Sequence, residues 1–192
     1  ESAKTQYGMA FIKGRFKDYS GSEVLTIKAI EKFKKIEDFR SLFSCYNHLG
    51  NLQNDINEFN KALFYFDKAI DNLNKVKNNN SLKEAVLNNI GNTYLKKGDY
   101  GNALRNFNRL LENDHLKLNS KANYTRALDN NAYCKLLMKD TVNVANSLKE
   151  ALKIRENQDN ISGIVISKIH FAHYYAYAQD TLKAITSAKE AN

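Results

Sequence analysis

The sequence predicts an all-α solenoid, a stack of helix hairpins, and three observations support that prediction. The 192 residues include no proline and only 8 glycines, which disfavours an all-β fold built from many tight turns. Apolar residues recur at helical spacing, as in Leu87, Ile90, Gly91 and Tyr94. Similar segments return every 40–41 residues. Because one hairpin cannot bury its apolar face alone, repeated hairpins are expected to stack into a continuous core.

The internal repeat is defined by four segments that each end in a small residue. Those residues are Gly50, Gly91, Ala132 and Ala172, separated by 41, 41 and 40 positions. Twelve residues later stand Ala62, Ala103, Val144 and Ala184, and sixteen residues later Phe66, Phe107, Leu148 and Ala188. A weaker copy begins at Tyr7-Gly8. We expect the small residues to let the two helices of a hairpin approach closely, with Phe66 and Phe107 filling the space between hairpins.

The repeat predicts a single domain over residues 1–192 with five units. Their approximate boundaries are 1–38, 39–79, 80–119, 120–159 and 160–192. The chain opens at Glu1 without a methionine or an apolar signal segment. We therefore interpret the sequence as a piece of a longer protein.

Polar residues at the unit boundaries predict where helices begin and end. Ser81 with Glu84 has the spacing of a capping box, and Gly98 is expected to end a helix. Further N-cap candidates are Asp99, Ser120, Asp140, Asn160 and Asp180. The tract Asn78–Asn80 is predicted to be a polar loop between units.

The charge balance is basic but dispersed. Lysine and arginine number 29 against 21 acidic residues, a net charge of +8. The densest basic spots, Lys32–Lys35 and Lys96-Lys97, stand beside acids or a turn, which favours solvated helix faces over a nucleic-acid site. A polynucleotide binder stays an open alternative, and its affinity would fall steeply with salt. No window has the unbroken apolar length of a membrane span. The two cysteines, Cys45 and Cys134, are expected to be buried and reduced.

No catalytic motif is present in the sequence. It lacks a phosphate-binding loop, a dinucleotide-binding glycine pattern, a nucleophile elbow and a zinc-protease motif. We therefore expect neither enzymatic activity nor a cofactor. The only pair with ligand-like spacing is His170 and His173. A third ligand is missing and aromatic residues surround the pair, so an aromatic groove or interface is favoured over a metal site.

The run from Asn89 to Leu104, Asn-Ile-Gly-Asn-Thr-Tyr-Leu-Lys-Lys-Gly-Asp-Tyr-Gly-Asn-Ala-Leu, closely resembles the tetratricopeptide repeat. The resemblance is strong from about Ser41 to Asn157 and weaker at both ends. It departs from the family in its period, which is roughly 34 residues there, and in lacking the proline at the unit boundary. It implies about five hairpins in a right-handed superhelix that binds a protein or peptide partner.

The sequences of Ala151–Glu156 and Asp180–Ala184 also resemble sensory regions of bacterial histidine kinases and transcriptional regulators. That resemblance implies a sensory or interaction segment of a bacterial signalling regulator. Such a segment would lie in the bacterial cytoplasm or periplasm, within a larger protein that is in some cases membrane-anchored. An alternative is a structural assembly or dimerisation module that acts through its convex face and its ends, with a homodimer as the product.

In the repeats that this chain resembles, the first helix of each hairpin lines the concave groove. The resemblance therefore implies twelve peptide-binding residues: Asn47, Asn51, Asn54, Asn88, Asn89, Asn92, Lys96, Asp129, Asn130, Tyr133, His170 and His173. Asparagine amides both donate and accept hydrogen bonds, which suits the alternating groups of an extended peptide backbone. The alternative is that these amides solvate the helices or tie neighbouring units together.

Overall fold

The computed structural model describes residues 1–77 and 79–192. Within those ranges the chain forms eleven α-helices and no strand, which confirms the all-α prediction. The described residues divide into two compact units, Glu1–Lys97 and Gly98–Asn192. The grouping of the whole chain into one repeat domain of five units stays a prediction.

The first compact unit contains five helices, which are α1 (Ala3–Arg15), α2 (Tyr19–Lys35), α3 (Phe39–Asp55), α4 (Phe59–Leu73) and α5 (Asn80–Lys97). The second contains α6 (Tyr100–Leu111), α7 (Asp114–Asn119), α8 (Lys121–Leu137), α9 (Val144–Glu156), α10 (Ile161–Tyr177) and α11 (Thr181–Glu190). Consecutive helices pack as hairpins, α1 with α2, α3 with α4, α8 with α9 and α10 with α11. The repeating hairpins that the sequence predicts are therefore confirmed, and the short helix α7 is an addition that the repeat does not predict.

Six of the described turns between helices share one backbone conformation. After α1, Lys17 is left-handed with φ of 63°, and the amide of Asp18 donates to the carbonyl of Lys13. This is the long bond of a Schellman motif. The same arrangement ends five more helices, with left-handed residues at Glu37, Asn57, Lys139, Asp159 and Gln179. Among the described residues glycine fills this position only at Gly98, where φ is 82°.

Side-chain caps begin several helices where the sequence predicts them. Asp99, Asn160 and Asp180 each accept a hydrogen bond from a backbone amide in the first turn of the following helix. Three of the cap predictions and the loop prediction at Asn80 need correction, because the helices begin elsewhere or the capping bond is absent. Helix α5 already begins at Asn80, so Ser81 lies inside its first turn and Asn80 is not loop. Ser120 precedes α8 without a side-chain cap. Asp140 lies four residues before α9 begins at Val144, and it accepts a hydrogen bond from the amide of Val142.

The Asn78–Asn80 tract has a second role that the sequence does not reveal. The Asn79 side-chain amide donates to the carbonyls of Leu73 and Val76, both at 2.6 Å. These bonds satisfy carbonyls that the end of α4 leaves without helical partners. Asn78 lies outside the described residues.

Each unit has its own apolar core. In the first unit, one cluster includes Ala29, Phe33, Cys45 and Leu49, and a second gathers Phe66 with Phe43, Ala62, Ala69, Leu73, Val86 and Ile90. In the second unit, Ala132, Val144, Leu148 and Phe171 pack together. The repeat positions therefore are core positions, except in the last hairpin, where Ala184 is only half-buried and Ala188 is exposed. Cys45 and Cys134 are buried free thiols, as predicted, and burial raises the pKa of Cys45 to about 12.

The close approach at a small repeat position is clearest at Gly50. A β-carbon added there would lie 2.5 Å from Cε1 of the Phe66 ring, and that ring is fully buried. We predict that Gly50→Ala lowers the free energy of unfolding by about 1–3 kcal/mol through overpacking. The matched control is Gly8→Ala, within helix α1, where an added β-carbon meets nothing within 4 Å.

The control substitution should raise stability by roughly 0.5–1 kcal/mol, because alanine loses less backbone entropy than glycine in a helix. Urea denaturation of both variants measures the difference. Equal effects of the two substitutions would contradict the close-approach interpretation of Gly50.

Candidate functional site

Asparagines on neighbouring first helices meet in the first compact unit. The Asn89 side chain on α5 donates to Oδ1 of Asn47 on α3 over 3.2 Å. Asn51 lies one turn beyond Asn47 and Asn92 one turn beyond Asn89, so each helix presents two amides on one face. All four side chains are half-buried. We call these four residues the amide row.

The other predicted residues of this unit differ in their accessibility. Lys96 is exposed in the last turn of α5. Asn54 is 7% exposed, and its buried Oδ1 has no hydrogen-bond partner among the described residues. Lys96 is therefore available to a partner, whereas Asn54 is nearly closed off from solvent.

Asn88 requires a correction, because its side chain is completely buried. It shares a helix face with Glu84 one turn before and Gly91 one turn after, and both of those residues are buried. An alanine at this position would therefore remove packing and polar interactions inside the protein. Asn88 is therefore not accessible to an external guest, and its substitution is expected to lower thermal stability.

Asp129 in the second unit also requires a correction, since it belongs to a buried polar network. It is fully buried and forms an ion pair with Arg155, which is 2% exposed. The same guanidinium nitrogen donates to the carbonyl of Gly163 at 3.0 Å and to Oγ of Ser167 at 2.6 Å. Ser167 in turn donates to Asp129 at 3.1 Å. The network joins α8, α9 and α10, so Asp129 holds helices together instead of facing a ligand.

A stack of aromatic rings lies next to this buried polar network. The rings of Tyr133 and His170 are parallel within 7°, with centroids 4.8 Å apart, and the His173 ring lies 5.3 Å from Tyr133. We call these three residues the ring stack. His170 is mostly buried and its Nδ1 lies 4.0 Å from Oδ2 of Asp129. Asn130 and Tyr133 are half-buried, and His173 is exposed.

The environment of the ring stack favours neutral histidine at position 170. Burial, together with the charges of Arg155 and His173, lowers the pKa of His170 to about 4. Burial outweighs the nearby Arg155 charge at Asp129 and raises the pKa of that carboxyl to about 6. Within residues 1–77 and 79–192, no group of three histidine, cysteine or acidic side chains has the arrangement of a metal site. The stacked geometry supports the aromatic interpretation of His170 and His173.

Comparison with known families now adds to this geometry. The family model "Tetratricopeptide repeat" matches residues 43–72 and 84–114, which are centred on hairpin α3–α4 and on helices α5 and α6. The chain contains tetratricopeptide repeats over these residues. A comparison with curated proteins gives no match.

Solved structures extend the similarity over nearly the whole tetratricopeptide-repeat chain. BtubC (BKLC) from P. vanneervenii superposes with a TM-score of 0.75 at 19% identity, over 95% of this chain and 75% of that one. The Rap conjugation gene regulator of plasmid pLS20, in complex with the Phr* peptide, gives 0.79 at 16% identity, over 97% of this chain and 50% of that one. Aspartyl phosphate phosphatase F from Bacillus subtilis gives 0.80 at 12% identity, over 97% and 48%.

These similarities establish a shared fold. This tetratricopeptide-repeat chain spans about half the length of the two Rap and phosphatase structures. In the part of the chain that the structure describes, no helix is long and apolar enough to span a membrane.

The residue that sequence reasoning missed is Arg155. It stands 23 residues after the small residue Ala132, and the equivalent position after Gly50 holds Leu73, which is fully buried. A cation in a core position of a tetratricopeptide repeat requires a buried partner. Asp129, which replaces the asparagine found at Asn47 and Asn88, is the acid that the repeat alignment offers as that partner.

The shifted pKa values of His170 and Asp129 predict opposite effects of pH on the stability of the second unit. Between pH 4 and 6.5 the unfolded chain binds a proton at His170 that the folded protein does not, so the His170 contribution to stability rises with pH. Between pH 3.8 and 6 the folded protein binds the additional proton at Asp129, so that contribution falls with pH.

We predict that the stability difference between wild type and His170→Gln increases by about 2–3 kcal/mol as the pH rises from 4 to 6.5. The difference between wild type and Asp129→Asn should change in the opposite direction. Denaturant unfolding across this pH range gives both differences. A stability difference for His170→Gln that does not vary with pH would show that His170 titrates alike in the folded and unfolded chains.

Proposed function

We propose that this tetratricopeptide-repeat chain is a protein- or peptide-binding scaffold that holds an extended segment along its first helices. The observation that carries the proposal is the hydrogen bond from Asn89 to Asn47, which brings amides of neighbouring hairpins together on a half-exposed surface. Asn51 and Asn92 continue that surface, and their side-chain amides form no hydrogen bond with other described residues. Their donors and acceptors are therefore free to pair with a peptide backbone.

The second unit supports the same function with different chemistry. Tyr133 and His173 present ring surface beside the half-buried Asn130. Aromatic rings with a polar edge are common contact residues, because they combine a large contact area with hydrogen-bonding groups. The buried network of Asp129, Arg155 and Ser167 holds the helices that carry these rings. We therefore assign the exposed positions of the ring stack to partner contact and the buried ones to support.

The biological setting is part of the proposal. A structural neighbour, the Rap conjugation gene regulator, holds the Phr* peptide, which supports peptide binding on this fold. We propose a sensory or interaction segment of a bacterial signalling regulator, in the cytoplasm or periplasm. We also propose that the chain has no catalytic activity of its own, although one neighbour is an aspartyl phosphate phosphatase.

Selection of binding peptides tests the scaffold function. Panning a phage-displayed library of random dodecapeptides on the full chain supplies a probe, whose affinity is then measured by calorimetry. Asn51→Ala/Asn92→Ala should weaken binding by about tenfold or more, since two hydrogen bonds are lost. The matched control is Asn119→Ala/Asn146→Ala, which removes two exposed amides elsewhere. Failure to enrich any peptide, or equal loss in both double variants, would contradict the proposal.

A second candidate function is self-assembly through the last hairpin. Ile169, Ala172, Ala176, Ala184, Ile185 and Ala188 line an apolar cavity of about 470 Å³ there, and Ile185 is 48% exposed. Exposed apolar patches often mark protein contacts. Sedimentation equilibrium over a wide concentration range tests this candidate. Ile185→Asp on α11 should abolish any dimer, whereas Val142→Asp, at an exposed site in the turn before α9, should leave it intact. A monomer at every concentration would exclude this candidate.

A further inference from the structure

A cavity of about 340 Å³ in the first compact unit has the chemistry of a binding site. It lies between the end of α1, the following turn and helix α3. Its lining consists of Phe11, Gly14, Arg15, Lys17, Tyr19, His48, Asn51, Leu52 and Asp55. Asn51 also belongs to the amide row, so the cavity adjoins the surface proposed to hold an extended segment.

The two cations of this cavity have no acidic partner in the part of the chain that the structure describes. The side chains of Arg15 and Lys17 are exposed and form no ion pair or hydrogen bond there. Nearby lysines differ, because Lys13 pairs with Asp18 at 2.5 Å and Lys32 donates to the carbonyl of Glu1 at 2.6 Å. The Asp55 carboxylate likewise has no ion-pair partner among residues 1–77 and 79–192. Two cations and one carboxylate leave the lining with a net charge of +1.

His48 lines the cavity as an uncharged ring. The Ser22 hydroxyl donates to the carbonyl of Ala10 at 2.7 Å, so Nε2 of His48, 2.8 Å away, carries a proton and donates to Ser22. Burial lowers the pKa of His48, which keeps the ring neutral at neutral pH. The net charge of the cavity therefore depends on Arg15, Lys17 and Asp55.

Apolar and aromatic groups complete the lining. Phe11 is 48% exposed, and Tyr19 and Leu52 also line the cavity. Gly14 fits closely into the lining, since an added β-carbon would lie 3.1 Å from both the His48 ring and Leu52. The backbone around Lys17 is held by the Schellman bond from Asp18 to Lys13. The site thus combines free cations, a free amide and apolar surface on a fixed backbone.

We infer that this cavity binds an aspartate or glutamate side chain of the partner peptide, with a neighbouring apolar side chain against Phe11 and Leu52. Arg15 and Lys17 attract the carboxylate, and the net charge of +8 on the whole chain favours an acidic partner. Asp55 repels a second negative charge, so a carboxylate is preferred over a doubly charged phosphate. The inference rests on the proposed peptide-binding function and names the chemistry that it selects.

Peptide specificity tests the inference. Hexapeptide libraries with both ends blocked, each fixed at one position as Asp, Asn or phosphoserine, are screened against the full chain. The Asp libraries should bind best, and the best acidic peptide should lose about fivefold or more with Arg15→Gln/Lys17→Gln. The control Lys28→Gln/Lys34→Gln removes the same charge from exposed positions on α2 and should change affinity by less than about twofold. Asp55→Asn should strengthen binding of the acidic peptide and admit phosphoserine.

A smaller probe separates failure of the site from failure of the proposed function. The blocked dipeptide Asp-Phe, titrated into isotopically labelled full chain, should shift the Gly14 amide and Asn51 side-chain resonances, and Asn-Phe should shift them far less. If the Asp-Phe dipeptide causes those shifts but no hexapeptide is selected, the scaffold function is rejected and the carboxylate site is retained. The inference would be overturned if Arg15→Gln/Lys17→Gln and the control Lys28→Gln/Lys34→Gln bound the acidic peptide with equal affinity. A preference for neutral peptides, or equal shifts with the two dipeptides, would also overturn it. Preference for a free C-terminal carboxylate over the blocked peptides would also overturn it.

Discussion

Replacing Arg155 with methionine is expected to lower the free energy of unfolding by about 3–5 kcal/mol. The substitution preserves much of the side-chain volume but leaves the fully buried Asp129 carboxylate without its ion-pair partner. Among the described residues, only Ser167 then remains to hydrogen-bond that group. Denaturant unfolding measures the loss, which should be largest at neutral pH, where the carboxylate has to stay charged or take up a proton.

The companion double variant separates lost charge pairing from lost packing. Asp129→Leu/Arg155→Met removes both charges and fills the space with apolar side chains, so it should recover most of the stability lost in the single variant. A single variant that loses less than about 1 kcal/mol would show that the pair behaves as an exposed salt bridge, against the burial seen here.

Phe66→Ala should also cost about 3–5 kcal/mol, because it removes a fully buried ring from the core of the first unit. That ring packs in the cluster of α3, α4 and α5 that includes Phe43, Val86 and Ile90. The cavity left behind cannot be filled by the small neighbours Ala62 and Ala69. Thermal and urea unfolding of the variant test this expectation, with the exposed Phe64→Ala, 55% exposed on the same helix, as the matched control. Equal losses in the two variants would contradict it.

Coupling between Phe66 and Gly50 provides a second check on the same contact. If the penalty of Gly50→Ala comes from collision with the Phe66 ring, it should disappear in the Phe66→Ala background. The double variant would then be no less stable than Phe66→Ala alone. Strictly additive losses would place the cause of the Gly50 effect elsewhere.

The fold was predictable from the sequence because the repeated positions are core positions. Gly50, Phe66 and Phe107 recur at fixed spacing, and packing requires that spacing whatever the surface sequence is. The left-handed turns were harder to predict, since Lys17, Glu37 and Asn57 stand where glycine is the expected signal. The repeating acid or asparagine after each of these residues was the more informative feature of those turns.

The candidate site was only partly predictable, because adjacent residues on a helix face different directions. Asn88 and Asn89 look equivalent in sequence, yet Asn88 is buried and Asn89 contacts Asn47 on the half-exposed surface. Asp129 was predicted to face a ligand by analogy with the asparagines, but its partner Arg155 draws it into the protein interior. Such a pairing depends on a residue from another helix, which local spacing does not specify.

The most direct test of the account is to map a bound peptide on the tetratricopeptide-repeat chain by nuclear magnetic resonance. A peptide selected by panning is titrated into the isotopically labelled full chain, and side-chain amide shifts are followed. We expect shifts at Asn47, Asn51 and Asn92 on the first helices α3 and α5, with Asn146 on α9 unaffected. Shifts confined to α2, α4 and α9 would contradict the central claim, because the partner would then bind the second helices of the hairpins.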